Sequence, residues 1–317
     1  MAPLNEAAAI VLHKCMKIRI GEEVLVVTDE PCRSVGLALW NKAKEMGCDA
    51  TFIEIKPRDT NGQEPPLTVT RAMLGARVCL LATSKSLSHT KARKEATEAG
   101  VRIASLPGIT EDIMRRALIA DYEEVASFTL RVAERMKGAR RVTVKSSSGT
   151  DITLNVEGRP IHPDTGIYIE PGAFGNLPAG EVYLAPVEGT AEGVVVIDGS
   201  IAGIGLVDLP VRVEVKNGVA VKITGGEAAK RLDALVNSVG GEARNVGELG
   251  IGTNGRATLS GNILEDEKVL GTAHIAFGAN ATFGGKVQVA SHLDGIIRRA
   301  TVIVDSVTLM EDGKLLV

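Results

Sequence analysis

The feature that most constrains this chain is a change of pattern near residue 140. Before it, short apolar runs alternate with helical patterns. Val24–Thr28 (VLVVT), Thr51–Ile55 (TFIEI), Arg77–Thr83 (RVCLLAT) and Val101–Leu106 (VRIASL) are too short for helices and mostly rich in branched residues. Between them the spacing predicts helices over residues 31–46, 67–75 and 88–99, with Pro31 in a first turn and Gly47 and Gly100 as stops. Thr110 caps a longer predicted helix over 111–137. Buried strands alternating with helices imply a parallel, Rossmann-like α/β sheet. The turn after the first strand, T-D-E-P-C-R, lacks G-x-G-x-x-G, and Asp29 and Glu30 would repel a pyrophosphate, so no dinucleotide cofactor is expected.

After residue 140 the punctuation is that of hairpins. Arg141–Lys145 and Asp151–Val156 flank Ser146-Ser147-Ser148-Gly149-Thr150, and Val211–Val215 and Val219–Ile223 flank Lys216-Asn217-Gly218. Thr301–Leu309 and Lys314–Val317 flank Glu311-Asp312-Gly313, and one helix is expected over 227–239. The reading is an α/β domain over 1–138 and a mainly antiparallel, barrel-like β domain over 139–317 that carries the chemistry. The 317 residues suit two domains. Aromatics are 3%, so both cores must be aliphatic. The net charge of −3 argues against nucleic-acid or anionic-membrane partners, which need a basic footprint. Cys15, Cys32, Cys48 and Cys79 form no C-x-x-C pair and read as small buried hydrophobes. With no leader-like or membrane-spanning run, a cytoplasmic protein is expected.

Titratable residues in apolar settings mark the candidate site. In Ser291-His292-Leu293-Asp294-Gly295, strand alternation puts Gln288, Ala290, His292 and Asp294 on one face, a compact metal platform. His274 sits in the glycine-bounded segment Gly271–Gly278, where a buried imidazole needs a partner. Glu248 lies in Asn245–Gly252 (NVGELGIG) between glycines and aliphatics, a setting expected to raise its pKa. Glu181 opens an apolar strand, and Glu267 ends the acidic run Leu264-Glu265-Asp266-Glu267. Mixed imidazole and carboxylate donors suit borderline divalent ions, and a bridging carboxylate could serve two of them.

In their order, N-L-P-A-G-E-V-Y, E-L-G-I-G-T-N, L-E-D-E, H-I-A-F-G and S-H-L-D-G resemble the aminopeptidase T family of metallo-aminopeptidases. The resemblance implies that Glu181, Glu248, Glu267, His274, His292 and Asp294 hold two ions of zinc, cobalt or manganese. It also implies that Glu248 bridges them or acts as general base toward small peptide substrates. Two departures stand out. Ala281 occupies the place of the family's catalytic tyrosine, and the spacing from Glu267 to His274 is longer than the family's. The sequence is also similar to a related branch, the 2,5-dihydroxypyridine dioxygenases. There His274, His292 and Asp294 would form a two-histidine, one-carboxylate iron triad, and His89 would be a base facing an interdomain cleft. The expected function is thus a metallo-aminopeptidase, with the dioxygenase as the alternative and a non-catalytic metal-binding protein as a third. The resemblance also implies a homodimer, for which Gly193–Ile197, Ile201–Val207 and Thr301–Val304 are the expected apolar edges.

Overall fold

The computed structural model describes residues 3–317. The chain folds as two compact units that interleave along the sequence: Met1–Ala126 with Thr165–Ala179, and Ser127–Asp164 with Gly180–Val317. The sequence pattern suggested one cut near 138. The difference is the returning segment 165–179, whose strand is only three residues long and shows no periodicity to read.

The first unit is built on a parallel sheet. Its strands are β1 (Glu23–Asp29), β2 (Asp49–Ile55), β3 (Val78–Ala82) and β4 (Arg102–Ser105), joined by β8 (Phe174–Asn176) from the returning segment, in the order β2-β1-β3-β4-β8. Strand β3 is buried along its whole length, and β1 everywhere after its first residue, as strands covered on both faces must be. The helices are α1 (Leu4–Ile10), α2 (Arg33–Glu45), α3 (Leu67–Gly75), α4 (Lys91–Glu98) and α5 (Glu111–Arg116); α6 (Tyr122–Met136) starts in this unit and belongs to the second from Ser127 on. The single helix expected over 111–137 is therefore two. The Asp121 carboxylate accepts from the Glu123 and Glu124 amides at 3.0 and 3.4 Å and starts α6 afresh. Helix α1 has no counterpart in the sequence reading. Cys15, Cys32 and Cys79 are buried thiols and Cys48 is half-buried; none of them forms a disulfide. Burial pushes Cys79 up to about 12. Asp29, buried at the end of β1, accepts from the amide and hydroxyl of Ser84 at 2.8 and 2.6 Å and ties two strand ends together.

The second unit holds two antiparallel sheets on one aliphatic core. One sheet runs β14-β13-β10-β6-β5-β18-β19-β20, with β5 (Arg141–Lys145), β6 (Asp151–Asn155), β10 (Glu192–Ile197), β13 (Val211–Lys216), β14 (Val219–Thr224), β18 (Thr301–Val304), β19 (Val307–Glu311) and β20 (Lys314–Leu315). The other runs β12-β11-β17-β16-β15-β9-β7, with β7 (His162–Asp164), β9 (Glu181–Leu184), β11 (Ser200–Ile201), β12 (Gly205–Leu206), β15 (Val246–Gly252), β16 (Ala273–Gly278) and β17 (His292–Ile297). Val144, Leu154, Val195 and Val213 of the first sheet share a core with Val182, Leu249, Ile251 and Ile275 of the second. Helices α7 (Glu227–Val239) and α8 (Ile263–Asp266) complete the unit, and Leu232 and Val236 pack into that core. The strand expected over 301–309 breaks at Asp305, which adopts φ 52° and turns the chain between β18 and β19. Two of the runs expected as interface edges are interior strands: β10 lies between β13 and β6, and β18 between β5 and β19. Their apolar side chains fill the core of their own unit. Among the described residues, no helix is long and apolar enough to cross a membrane.

Candidate metal centre

The site grows from the sheet carrying β7, β9, β15, β16 and β17, because its two faces have opposite chemistry. Registers Glu248↔Ala276 and Gly250↔His274 join β15 to β16, and Ala276↔Asp294 and Gly278↔His292 join β16 to β17. Gly252↔Glu181 and Gly250↔Tyr183 join β15 to β9, and Asp164↔Glu181 joins β7 to β9. Period-2 alternation then puts Glu181, Glu248, His274, His292 and Asp294 on one face, with Val182, Leu249, Ile251 and Ile275 on the core face. Gln288 and Ala290, expected beside His292, precede the strand, which begins at His292 itself.

The glycines of E-L-G-I-G have a steric role. A Cβ at Gly250 would lie 2.0 Å from His274 Nε2, so the imidazole lies over bare backbone. At the other end of β16, Gly278 adopts φ 119°, and a Cβ there would meet the Ser291 carbonyl at 2.2 Å.

The Glu248 carboxylate lies between the two imidazoles: Oε1 is 3.2 Å from His274 Nε2 and Oε2 is 3.2 Å from His292 Nε2. His292 Nε2 is also 3.3 Å from Asp294 Oδ1. On its far side, His292 Nδ1–H donates to the Ala279 carbonyl at 2.8 Å, which fixes ring orientation and aims Nε2 at the carboxylates. His274 Nε2 lies 3.4 Å from Glu181 Oε2. Beyond it stands Lys268, with no exposed surface, which donates to Glu181 Oε1 and, at 2.6 Å, to Glu267 Oε1, with Asp164 Oδ2 at 3.7 Å. Glu265 and Asp266 turn elsewhere: Glu265 accepts from the Thr258 amide, and Asp266 from the Ser260 and Gly261 amides and the Ser200 hydroxyl. Lys268 and Asp164 were not foreseen. The only signal was a lysine closing an acidic run, which ordinarily marks a solvated loop.

Charge is unevenly settled across this face. Burial by itself raises the Glu248 pKa, but hydrogen bonds from His274 and His292 outweigh it and hold the carboxyl well below its usual range. The raised pKa expected from its apolar flanks is therefore wrong in sign, because the flanks are apolar only along the chain. Burial lowers the His292 pKa, but Asp294 and Glu248 together carry it well above the usual value. Burial pushes Glu181 up to about 8, with Lys268 opposing and Glu248 adding to the rise. Glu267 is likewise raised to about 8, chiefly by burial.

The residues present fit a divalent ion. Glu248, His292 and Asp294 offer donor atoms within 4.8 Å of one another, as do Glu181, Glu267 and His274. Glu181 Oε2 and His274 Nδ1 are buried without a hydrogen-bond partner. Rings border the site. His162 stacks on Tyr183 with centroids 5.1 Å apart, Phe283 stands edge-on to Tyr183 at 5.6 Å, and Phe283 stands edge-on to His292 at 5.8 Å. Ala281 opens the short turn Ala281–Phe283 that carries Phe283. His89 belongs to the first unit, on an exposed turn before α4.

Residues 4–317 match the family described as 2,5-dihydroxypyridine 5,6-dioxygenase. The chain belongs to the 2,5-dihydroxypyridine 5,6-dioxygenase family. A curated relative of that name from Pseudomonas putida KT2440 is 26% identical over 263 residues, covering 74% of this chain and 70% of the relative. The solved structure of 2,5-dihydroxypyridine dioxygenase from the same organism superposes with a TM-score of 0.86 at 20% identity, covering all of this chain and 98% of that one. Wild-type AmpT from Thermus thermophilus superposes with a TM-score of 0.71, also at 20% identity, over 99% of each chain. The fold is common to both, so the resemblance to aminopeptidase T is a resemblance of fold. The expected aminopeptidase, and with it the hydrolase class, is overturned by the match along nearly the whole chain to the dioxygenase family, a family of enzymes.

Proposed function

We propose that this protein is a mononuclear non-haem iron dioxygenase that opens the ring of a dihydroxypyridine-like substrate. The observation that carries the reading is the dioxygenase family match over residues 4–317, whose candidate ligands lie on one sheet face. His274, His292 and Asp294 would hold the ion, with Glu248 between the two imidazoles. Ferrous iron in such a set supplies a redox-active Lewis acid with positions open to oxygen and substrate. The chain's own groups do the rest. The Ala279 carbonyl holds the His292 ring, and ionised Glu248 keeps both imidazoles aligned. Phe283 and Tyr183 give a flat substrate an apolar wall, and the hydrogen bond between His162 and the Phe283 carbonyl, at 3.1 Å, fixes the turn bearing that wall. His89 is the proposed base for a ring-hydroxyl proton, on the resemblance alone.

The test is oxygen uptake coupled to ring opening of 2,5-dihydroxypyridine by the protein reconstituted anaerobically with ferrous iron. Ring opening by wild type, and its loss in His274→Ala, His292→Ala and Asp294→Ala, is expected. An inert, fully loaded wild type would remove the reading. A homodimer stays proposed from the resemblance. Exposed Leu206 and Leu209 are apolar surface that a partner could cover, and sedimentation at micromolar concentration decides.

A further inference from the structure

Of the two donor groups, one already holds a cation supplied by the chain. The Lys268 ammonium donates to Glu181 and Glu267, and Asp164 lies 3.7 Å away. These two glutamates are the carboxylates that a second ion would need. Lys268 is fully buried, and its backbone is pinned on both sides: its amide donates to the Glu265 carbonyl at 2.9 Å, and its carbonyl accepts from the Asn254 amide at 2.9 Å. The stem therefore has little freedom to withdraw the ammonium. The partners of Glu248 and Asp294, by contrast, are the imidazoles of His274 and His292, whose ring nitrogens are themselves donor atoms for a metal.

We infer that Lys268 is a built-in substitute for a second metal ion, and that it restricts this site to the single divalent cation proposed for His274, His292 and Asp294. A divalent ion sharing Glu181 and Glu267 would sit against the ammonium, and like charges at such range exclude one another in a buried site. The inference deepens the proposed function, on which it rests for the presence of a metal, and it is the alternative to the two-ion expectation drawn from sequence.

The experiment uses the full chain saturated with manganese(II) and freed of excess ion, with elemental analysis for metal per chain and electron paramagnetic resonance for the environment. Wild type is expected to carry one ion per chain with the spectrum of an isolated ion. Folded Lys268→Met is expected to double its metal content and give the spectrum of a spin-coupled pair. Two ions in wild type, or one in the folded variant, would overturn the inference. Should Lys268→Met not fold, Lys268→Gln removes the charge but keeps a donor, and the wild-type count stands as a test by itself. Ring opening is assayed separately. One ion without ring opening would sink the dioxygenase reading and leave this inference standing, and ring opening with two ions would do the reverse.

Discussion

Glu248 and Glu181 are the same residue type on adjacent strands of one sheet, and both are buried, yet their surroundings drive them in opposite directions. Glu248 lies between two imidazoles that hold it ionised. Glu181 is raised to about 8 by burial, even with Lys268 beside it, because Glu248 and Asp164 repel added charge. The Glu248 side faces imidazoles, whose nitrogens can serve a metal. The Lys268 side faces a buried ammonium. A buried carboxylate is thus defined by what faces it, and identical letters in a motif can serve a metal or an ammonium.

The comparison breaks most visibly at the lysine. Lys268→Met strands the Glu181, Glu267 and Asp164 carboxylates, and loss of one partner from a buried ion cluster costs about 3–5 kcal/mol. Urea denaturation of the metal-free variant should show that loss, and added manganese(II) should restore much of it. Equal metal-free stability of variant and wild type would mean that the ammonium does not balance the cluster.

Gly250→Ala probes the other side. Its Cβ would fall 2.0 Å from His274 Nε2, so the imidazole must move away from Glu248. Overpacking of this kind costs about 1–3 kcal/mol. A displaced ligand should weaken metal binding by roughly 10–100-fold, by analogy with loss of an orienting partner. Calorimetric titration with manganese(II) reads both effects, and unchanged affinity would place the ion away from His274.

A subtler sharpening concerns the segment behind His292. Buried Asn280 accepts from the Val287 amide at 2.9 Å and donates to Glu188 at 3.0 Å, holding the segment next to the Ala279 carbonyl that orients the ring. Asn280→Ala should cost about 1–3 kcal/mol for the groups left unpaired and should weaken metal binding, where the Lys268 variants should add to it. His89→Ala should lower turnover and leave metal content unchanged; a fall in melting temperature alone would assign it a structural role. The smallest effect belongs to the first unit, where Asp121→Ala removes the cap of α6 for about 1 kcal/mol. It should leave metal content untouched, which calibrates the other changes.

Several features were legible in the letters because they depend on local periodicity. The period-2 spacing of His292 and Asp294 puts them on one face wherever that strand lies, and Lys216-Asn217-Gly218 turns between β13 and β14 as Asn-Gly should. Strands β1, β3 and β4 of the first unit stood out because burial on both faces demands near-continuous apolar runs. Gly250 could be noticed as a glycine in an apolar segment, but its purpose, space for an imidazole 24 residues away, belongs to the register between β15 and β16. Strand β8 has three residues and no pattern, and exists because β4 offers it an edge. Lys268 closes an acidic run that looks solvated, and only the packing of β9 and β7 brings Glu181 and Asp164, 87 and 104 residues away, against its ammonium. The direction of the Glu248 shift was likewise decided in three dimensions. Its chain neighbours are apolar, and what fixes a buried charge is the field of the groups across the sheet, His274 and His292, rather than the residues on either side of it.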